Sequence, residues 1–310
     1  MAETILVVVP TRDRPAMLAE ALAAVAVQTD GNWACVVADD GEGPPVRDAL
    51  PAVFARDPRF AFCRTSARTA GGARNAAVAH GETEVLRGPA PLVAFLDDDD
   101  LWRPEHLARS RTALVARPDA VFVHGAAVTR SPACEIPYHA KDPGPFDGPL
   151  FLPLLRRNFV ATSSVVVRGD VLRTVGGFRA DLRHAEDWDL WLKASRHGPA
   201  TFVPETTVVY RDHGGNVSRE LVDKIEDQAA VVAWWRAHGE ALAPEERRAV
   251  RAELARRRRR NLRRLRRAGT RSRAQLRAAA AAAWREVPHL HTAAALLGAA
   301  LLPRGRKAPA

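Results

Sequence analysis

Apolar runs alternate with amphipathic stretches along the first part of the chain. Four β-branched, apolar runs have the length and composition of buried strands, and they cover residues 4–10, 33–38, 59–64 and 92–96. The stretches between them predict helices, which begin at Pro15, run over 44–56 with a break near Pro51, and run over 70–80. Strands and helices that alternate over short links predict an α/β fold with a mostly parallel central sheet and helices on both faces.

The pattern becomes less regular beyond a predicted helix at 104–116. Six prolines interrupt residues 132–154, which predicts a long loop over the face of the sheet that binds ligands. A β-branched run at 162–168, a helix from Glu186 or Asp187 to His197 and a strand at 201–210 then return to the α/β pattern.

The sequence pattern changes again after Ser218, where helical periodicity replaces the alternation of strands and helices. An amphipathic helix is predicted over 221–235, and an arginine-rich helix follows Pro244. We therefore expect two domains, an α/β body over residues 1–218 and a basic helical extension over residues 219–310.

The positive charge of the chain is concentrated in this extension. The whole chain has a formal net charge of +10, and the segment from Glu245 to Arg277 contains fifteen arginines against three glutamates. A basic amphipathic helix followed by the short apolar segment 290–302 is typical of the surface of an anionic membrane, although a solvated basic tail remains the alternative. Nucleic-acid binding is disfavoured because no aromatic residues lie between the arginines and no known reader motif is present.

Cysteine usage and hydropathy bear on the compartment. Cys35, Cys63 and Cys134 are odd in number and far apart, so they form neither a disulfide framework nor a metal pattern. No apolar run reaches the 18 residues that a membrane span needs. We expect a cytoplasmic protein, peripheral at most on the inner face of a membrane.

Four consecutive carboxylates, Asp97–Asp100, follow the apolar run at 92–96, and we call them the acidic tetrad. Adjacent like charges repel, so such a cluster requires a bound cation, a basic partner or full solvation. In extended geometry Asp97 and Asp99 point to the same side, roughly 6.5 Å apart. All-oxygen ligands favour Mg²⁺ or Mn²⁺. The alternative is a solvated turn in which Asp100 caps the helix that begins near Pro104.

Two further polar clusters, Thr11–Asp13 and Asp39–Asp40, also follow predicted strands. Open α/β sheets bind ligands at the carboxyl ends of their strands, so the three clusters should line one crevice. Acidic groups, arginines and a cation suit a nucleotide diphosphate. The glycine-rich dinucleotide motif and the phosphate-binding loop with its lysine are both absent.

Six motifs occur in a characteristic order. They are Val9–Arg14 (VPTRDR), Ala38–Gly41 (ADDG), Gly72–Asn75 (GARN), Leu96–Pro104 (LDDDDLWRP), Gly176–Phe178 (GGF) and Glu186–Trp191 (EDWDLW). In this order they resemble the landmarks of family 2 glycosyltransferases, over roughly residues 4–218. The resemblance implies a GT-A, Rossmann-like catalytic domain with a nucleotide-sugar half at about 1–103 and an acceptor half at about 104–218.

The resemblance also implies roles for individual residues on the donor side. Asp40 matches the aspartate that contacts the nucleotide base, and Asp97 or Asp98 matches the residue that contacts the ribose. Asp99 matches the metal ligand closest to the diphosphate. The implied donor pocket comprises Pro10, Thr11, Arg12, Asp40, Arg74, Asp97 and Asp98, and the implied metal ligands are Asp99, Asp97 and His213.

On the acceptor side, Asp187 matches the proposed catalytic base, with Glu186 and Trp188 beside it. Trp188 is a platform for an acceptor sugar or, alternatively, a core residue. The chain departs from the family's pattern at Arg12, Asp13 and Glu42, where tyrosine, asparagine and serine are common. These departures fall at positions implied to contact the nucleobase. The positions of the implied metal ligands and of the implied catalytic base are not affected.

The expected reaction is metal-dependent, inverting transfer of a sugar from a nucleotide diphosphate sugar to an acceptor hydroxyl. The expected pathways are the synthesis of cell-surface polysaccharide, glycolipid or a glycosylated metabolite, with a lipid-linked acceptor as one option. Two alternatives remain open: a nucleotidyltransferase of similar α/β fold, and a non-catalytic protein that binds sugar or nucleic acid.

Overall fold

The computed structural model describes residues 3–131, 134–138, 146–213, 221–239 and 242–268, with backbone alone at 221–226 and 258–268. The chain forms two compact units, Met1–Val231 and Val232–Ala310. The first unit extends beyond the boundary that the sequence suggests at Ser218. Asp227 belongs to it and accepts hydrogen bonds from the backbone N–H groups of Arg183 and His184 at 2.7 and 2.8 Å.

The described residues form nine strands. They are β1 (Ile5–Thr11), β2 (Trp33–Asp39), β3 (Phe60–Arg64), β4 (Leu92–Phe95), β5 (Asp100–Trp102), β6 (Phe122–Arg130), β7 (Glu135–Pro137), β8 (Val166–Arg168) and β9 (Ala200–Arg211). The α-helices are α1 (Pro15–Ala26), α2 (Ala52–Arg56), α3 (Ala70–His80), α4 (His106–Ala116), α5 (Phe151–Arg156), α6 (Gly169–Thr174), α7 (Glu186–Ala194), α8 (Leu221–Ala237) and α9 (Pro244–Ala268).

All nine strands join one sheet in the order β3-β2-β1-β4-β8-β6-β9-β5, with β7 paired to β6. The predicted parallel pairing is present in β1 to β4 and between β6 and β9. Strand β8 pairs antiparallel with both β4 and β6, and β5 pairs antiparallel with β9. The sheet is thus mixed in its second half, where β8 runs opposite to both of its neighbours.

Both faces of the sheet are covered, which explains the continuous apolar strands. Ile5, Val7 and Val9 of β1 pack with one face of α1 in the main core. On the opposite face Phe95 of β4 contacts the ring of Trp191 in α7, with 6.1 Å between centroids. The predicted α/β fold with helices on both faces is therefore confirmed.

Several local predictions need correction. Asp100 lies in β5 and does not cap the helix after it, which begins at His106 with Glu105 preceding it. The run 162–168 starts with a 3₁₀ turn, Thr162–Ser164, before β8. Among the described helices, none combines the length and apolar character needed to cross a bilayer. The apolar segment 290–302 lies outside the described residues.

Candidate active site

The sheet brings the polar clusters of three strands together, because β1 lies between β2 and β4. The Thr11 hydroxyl at the end of β1 donates to Oδ2 of Asp98 at 2.7 Å. The backbone N–H of Asp40, just after β2, donates to the carbonyl oxygen of Thr11 at 2.9 Å. The nucleotide-side residues predicted from the sequence therefore lie at one edge of the sheet, as expected for a crevice at the carboxyl ends of parallel strands.

The acidic tetrad contains a group of carboxylates that fits a divalent cation. One oxygen each from Asp97, Asp99 and Asp100 lies within 4.8 Å of the other two. Carboxylate oxygens are the ligands that Mg²⁺ and Mn²⁺ prefer. Asp97 and Asp99 were predicted to meet in this way, whereas Asp100 joins the group through a turn in which its backbone N–H donates to the carbonyl oxygen of Asp97 at 3.0 Å.

Basic side chains surround Asp99. Nη1 of Arg14 lies 2.8 Å from Oδ2 of Asp99 and 3.4 Å from Oδ1 of Asp98. Nε2 of His213 lies 3.1 Å from the same Asp99 oxygen, so His213 occupies the neighbourhood predicted for it. Nε of Arg211 donates to the backbone carbonyl of Asp99 at 2.5 Å. These groups offset part of the repulsion within the tetrad.

Asp98 supports the tetrad from inside the protein. Burial, with a smaller contribution from the negative charge of Asp99, raises the pKa of Asp98 to about 6, and the hydrogen bond from Thr11 acts against this shift. Its side chain is only 8% exposed. Thr11 engages Oδ2 of Asp98 and Arg14 lies near Oδ1, so Asp98 is held at the inner side of the crevice, and its contact with the ribose stays a prediction. Asp97, whose side chain is 29% exposed, is the more accessible of the two candidates for the ribose contact.

The two aspartates after β2 have different surroundings. Asp39 accepts hydrogen bonds from the backbone N–H groups of Gly41 and Val46 at 3.0 and 2.8 Å, so its carboxylate closes the loop. Asp40 accepts from the backbone N–H of Arg68 at 3.1 Å. Because the carboxylate of Asp39 is occupied by hydrogen bonds within its own loop, Asp40 remains the candidate for the contact with the nucleobase.

Two of the departures from the family's pattern pair with each other. Nη2 of Arg12 lies 3.2 Å from Oε1 of Glu42, and the two side chains are 48% and 80% exposed. The pair stands beside Asp40, at the position predicted for the nucleobase. Arg12 therefore offsets part of the negative charge of Glu42 at this position.

Arg74 joins the tetrad to the first turn of α7. Its guanidinium donates to Asp97 at 2.5 Å and to Glu186 at 2.9 Å, and it lies over the ring of Phe178 at 5.1 Å. Burial alone would lower the pKa of Arg74, but the charges of Asp97 and Glu186 outweigh burial and raise it. Arg74 is only 3% exposed, so it is corrected from a nucleotide contact to a buried link between two acidic groups.

Glu186 is likewise enclosed. Burial raises the pKa of Glu186 to about 7; the positive charge of Arg74 acts against this shift and the neighbouring Asp187 adds to it. The residue is 7% exposed and its carboxylate accepts a hydrogen bond from Arg74, so its side chain faces the protein interior. Glu186 is therefore corrected from an acceptor contact to a part of the buried link.

This shift predicts that the metal-free protein loses stability as pH rises toward 8. The pKa of Glu186 is about 7 in the folded protein and 4.5 without its surroundings, so the folded state keeps a proton that the unfolded chain has released. Thermal unfolding between pH 5 and pH 8 should show a falling Tm, and Glu186→Gln should flatten the upper part of this fall. Glu205→Gln, on the surface, is the control. If the Tm of Glu186→Gln falls with pH as steeply as that of the wild type, the raised pKa of Glu186 is contradicted.

Asp187 has a different environment from Glu186. It lies in the first turn of α7, where the helix dipole favours a carboxylate, and it is partly exposed. Oδ2 accepts from the side chain of Asn158 at 2.9 Å and from the hydroxyl of Thr162 at 3.4 Å. Oδ1 accepts from the backbone N–H of Trp188 at 2.6 Å. Asp187 is therefore oriented and still accessible, as a general base must be.

Trp188 belongs to the core. It is 1% exposed, and its indole N–H donates to the carbonyl oxygen of Leu154 at 2.6 Å. An acceptor sugar cannot stack on a ring that is covered on both faces. The prediction of an acceptor platform is corrected accordingly, and the alternative of core packing is confirmed.

Several contacts of the site were not predicted from the sequence. Thr162 donates to Asp187, and its neighbour Ser163 donates to Oδ2 of Asp100 at 2.6 Å. Burial raises the pKa of Tyr138, and the negative charges of Asp187 and Asp100 add to this shift. The available signal was the polar cluster Thr162–Ser164 directly before a buried strand, which was interpreted as part of that strand.

Residues 6–154 match the family model described as "Glycosyl transferase family 2". The chain is 32% identical over 108 residues to the succinoglycan biosynthesis protein ExoW of Rhizobium meliloti (strain 1021), a match that covers 34% of this chain and 32% of ExoW. The chain spans about a third or less of the length of the curated relatives it matches.

Two solved structures share the fold. S. aureus TarS in complex with UDP-GlcNAc has a TM-score of 0.61 at 15% identity, over 96% of this chain and 80% of that chain. The mannosyltransferase PcManGT from Pyrobaculum calidifontis, in complex with GDP-Man and Mn²⁺, has a TM-score of 0.56 at 20% identity, over 96% and 85%. Residues 6–154, with the ordered motifs that they contain, match glycosyl transferase family 2, and the chain shares the GT-A fold of these two structures.

Proposed function

We propose that this protein is a metal-dependent, inverting glycosyltransferase that moves a sugar from a nucleotide diphosphate sugar to an acceptor hydroxyl. One observation carries the proposal. The three carboxylates that fit a divalent cation are joined to the partly exposed Asp187 by two routes, Arg74 with Glu186 and the turn Thr162–Ser163. A site for the departing nucleotide and a base for the incoming hydroxyl thus belong to one connected set of side chains.

Each part of this set would have one task. A divalent cation held by Asp97, Asp99 and Asp100 would neutralise the negative charge of the departing nucleoside diphosphate. Asp187 would accept the proton of the acceptor hydroxyl, whose pKa lies far above neutral pH, as the hydroxyl attacks. Asp40 would contact the nucleobase, at the opposite end of the donor from the sugar. Attack from the face opposite the leaving group gives inversion at the anomeric carbon.

The relatives support a nucleotide-sugar donor and suggest a pathway. TarS is seen with UDP-GlcNAc and PcManGT with GDP-Man and Mn²⁺, so both nucleotides are candidates for this chain. ExoW is named for the biosynthesis of succinoglycan. We therefore propose a role in the synthesis of cell-surface polysaccharide, glycolipid or a glycosylated metabolite.

Calorimetric titration with UDP-, GDP- and dTDP-sugars, each with and without Mn²⁺, tests this function. We expect one nucleotide sugar to bind in the presence of Mn²⁺ and to bind much more weakly without it. Product analysis with that donor should then show sugar transfer or slow donor hydrolysis. Preferential binding of a nucleoside triphosphate would favour a nucleotidyltransferase, and no nucleotide binding under any condition would favour a non-catalytic protein.

The basic helix α9 supports a second, separate proposal, that the protein binds the anionic inner surface of a membrane from the cytoplasm. Helix α9 contains twelve arginines and three glutamates, and the glutamates all lie in its first ten residues. Residues 256–267 contain nine arginines and no acidic residue. Like charges three or four positions apart destabilise a helix, so an anionic surface would stabilise this one.

The membrane proposal predicts that Arg-to-Gln changes in α9 release the protein from anionic vesicles. Arginine near an anionic bilayer contributes about 1 kcal/mol per residue, so changing Arg258, Arg259, Arg260 and Arg263 should weaken binding to phosphatidylglycerol vesicles, measured by sedimentation, by about a thousandfold. The matched control changes four exposed arginines of the body, Arg47, Arg56, Arg103 and Arg173. Equal losses in both variants, or none in either, would count against α9 as the membrane-binding element.

A further inference from the structure

Ser163 lies beneath the acidic tetrad and contacts both of its ends. The residue is 0% exposed. Its hydroxyl oxygen accepts from the backbone N–H of Asp97 at 3.1 Å and donates to Oδ2 of Asp100 at 2.6 Å. Asp97 and Asp100 are the first and last residues of the tetrad, and both belong to the three carboxylates that fit a divalent cation.

The position of Ser163 is fixed by groups outside the tetrad's own carboxylates. Its carbonyl oxygen accepts from the indole N–H of Trp102 at 2.6 Å. The next residue, Ser164, closes the turn with a backbone hydrogen bond to Ala161 at 2.9 Å. The hydroxyl of Ser163 is therefore held against the tetrad by the core.

One hydroxyl has a single proton and two lone pairs, which suffices for both contacts. The proton goes to Asp100, and a lone pair receives the N–H of Asp97. The other carboxylate oxygen of Asp100 accepts from the backbone N–H of Arg211 at 3.3 Å. The carboxylate of Asp100 is thus fixed in orientation against the repulsion of Asp97 and Asp99, while lone pairs on its oxygens remain for an ion.

We propose that Ser163 is a positioning residue that holds Asp97 and Asp100 at the separation a divalent cation requires. The role rests on the proposed function, because it presumes that the tetrad binds such an ion. Partners that orient metal ligands typically contribute tenfold to a hundredfold to metal affinity. Ser163 would act through Asp97 and Asp100 and would not itself contact the donor.

The test compares Ser163→Ala with Ser164→Ala in the full chain. Ser164 is 1% exposed, and its hydroxyl donates to the carbonyl oxygen of Ala161 at 2.7 Å, so both variants lose a buried hydroxyl, with one hydrogen bond in Ser164→Ala and two in Ser163→Ala. Mn²⁺ affinity is measured by electron paramagnetic resonance on metal-free protein without any donor. We expect Ser163→Ala to bind Mn²⁺ about tenfold to a hundredfold more weakly and Ser164→Ala to stay within about twofold of the wild type.

The outcomes separate this role from the proposed function. If the wild type binds Mn²⁺ and the two variants bind it equally well, the positioning role is overturned and the proposed function stands. If the wild type binds no Mn²⁺, both are overturned. Should Ser163→Ala not fold, Ser163→Cys takes its place; it keeps nearly the same volume with a weaker donor, and the same comparison with Ser164→Ala applies.

Discussion

Asp99→Asn should reduce metal-dependent turnover of the donor about a thousandfold, which corresponds to about 4 kcal/mol of transition-state stabilisation. The change keeps the size of the side chain and removes one of the three carboxylates that fit the cation. Arg14 keeps Asp98 as a partner, so the melting temperature should change little. Steady-state turnover at saturating donor and a Mn²⁺ titration of the same variant measure both parts of the effect.

Asp57→Asn is the matched control for this variant. Asp57 pairs with Arg59 at 2.7 Å and its side chain is 22% exposed, compared with 15% for Asp99, but it lies outside the site. It should retain turnover and Mn²⁺ affinity. A large loss of folding in Asp99→Asn, with Mn²⁺ binding intact in the fraction that folds, would show that Asp99 is structural.

Asp187→Asn should lower kcat by about a thousandfold while the donor and Mn²⁺ bind as in the wild type. General bases typically contribute a hundredfold to ten-thousandfold to a rate, and an amide cannot accept the proton of the acceptor hydroxyl. Asn at this position can still accept from Trp188 and contact Asn158, so α7 should keep its start. Calorimetry of donor binding alongside single-turnover kinetics separates binding from chemistry.

Asp170→Asn controls for the position of Asp187 in a helix. Asp170 also lies in the first turn of a helix, α6, and its Oδ1 accepts from the next backbone N–H, that of Val171, at 2.8 Å. It should leave kcat unchanged. A loss of donor binding in Asp187→Asn equal to its loss of rate would mean that Asp187 contacts the donor and is not the base.

Much of the fold could be predicted from local sequence. The apolar runs of β1 to β4 predict buried strands, and β1, β2 and β4 are buried along their whole length. Helix α3 has its predicted bounds, Ala70–His80. Strand β6 was missed because His124 and Gly125 interrupt its apolar run, although His124 is 0% exposed. The mixed pairing was missed because strand direction depends on connections between elements and not on the composition of each strand.

Only part of the site could be predicted, because local sequence does not show which distant residues meet. Acidic clusters after strands marked the edge of the sheet, and the motifs located Asp40, Asp99 and Asp187 along the chain. Which side chains meet could not be read from spacing, because the contacts of Arg74 with Glu186 and of Ser163 with Asp100 join residues 112 and 63 positions apart. Burial then decided the roles of Trp188, Glu186 and Arg74, and burial is a property of the packed fold.

The position of a bound Mn²⁺ ion tests the central claim most directly. Crystals of the full chain soaked with Mn²⁺ and a nucleoside diphosphate, measured near the manganese absorption edge, give an anomalous difference map that locates the ion. We predict a peak bonded to carboxylate oxygens of at least two of Asp97, Asp99 and Asp100, in a cleft that Asp187 also faces. A peak elsewhere with these three carboxylates unbound, or an ion whose cleft excludes Asp187, would contradict it.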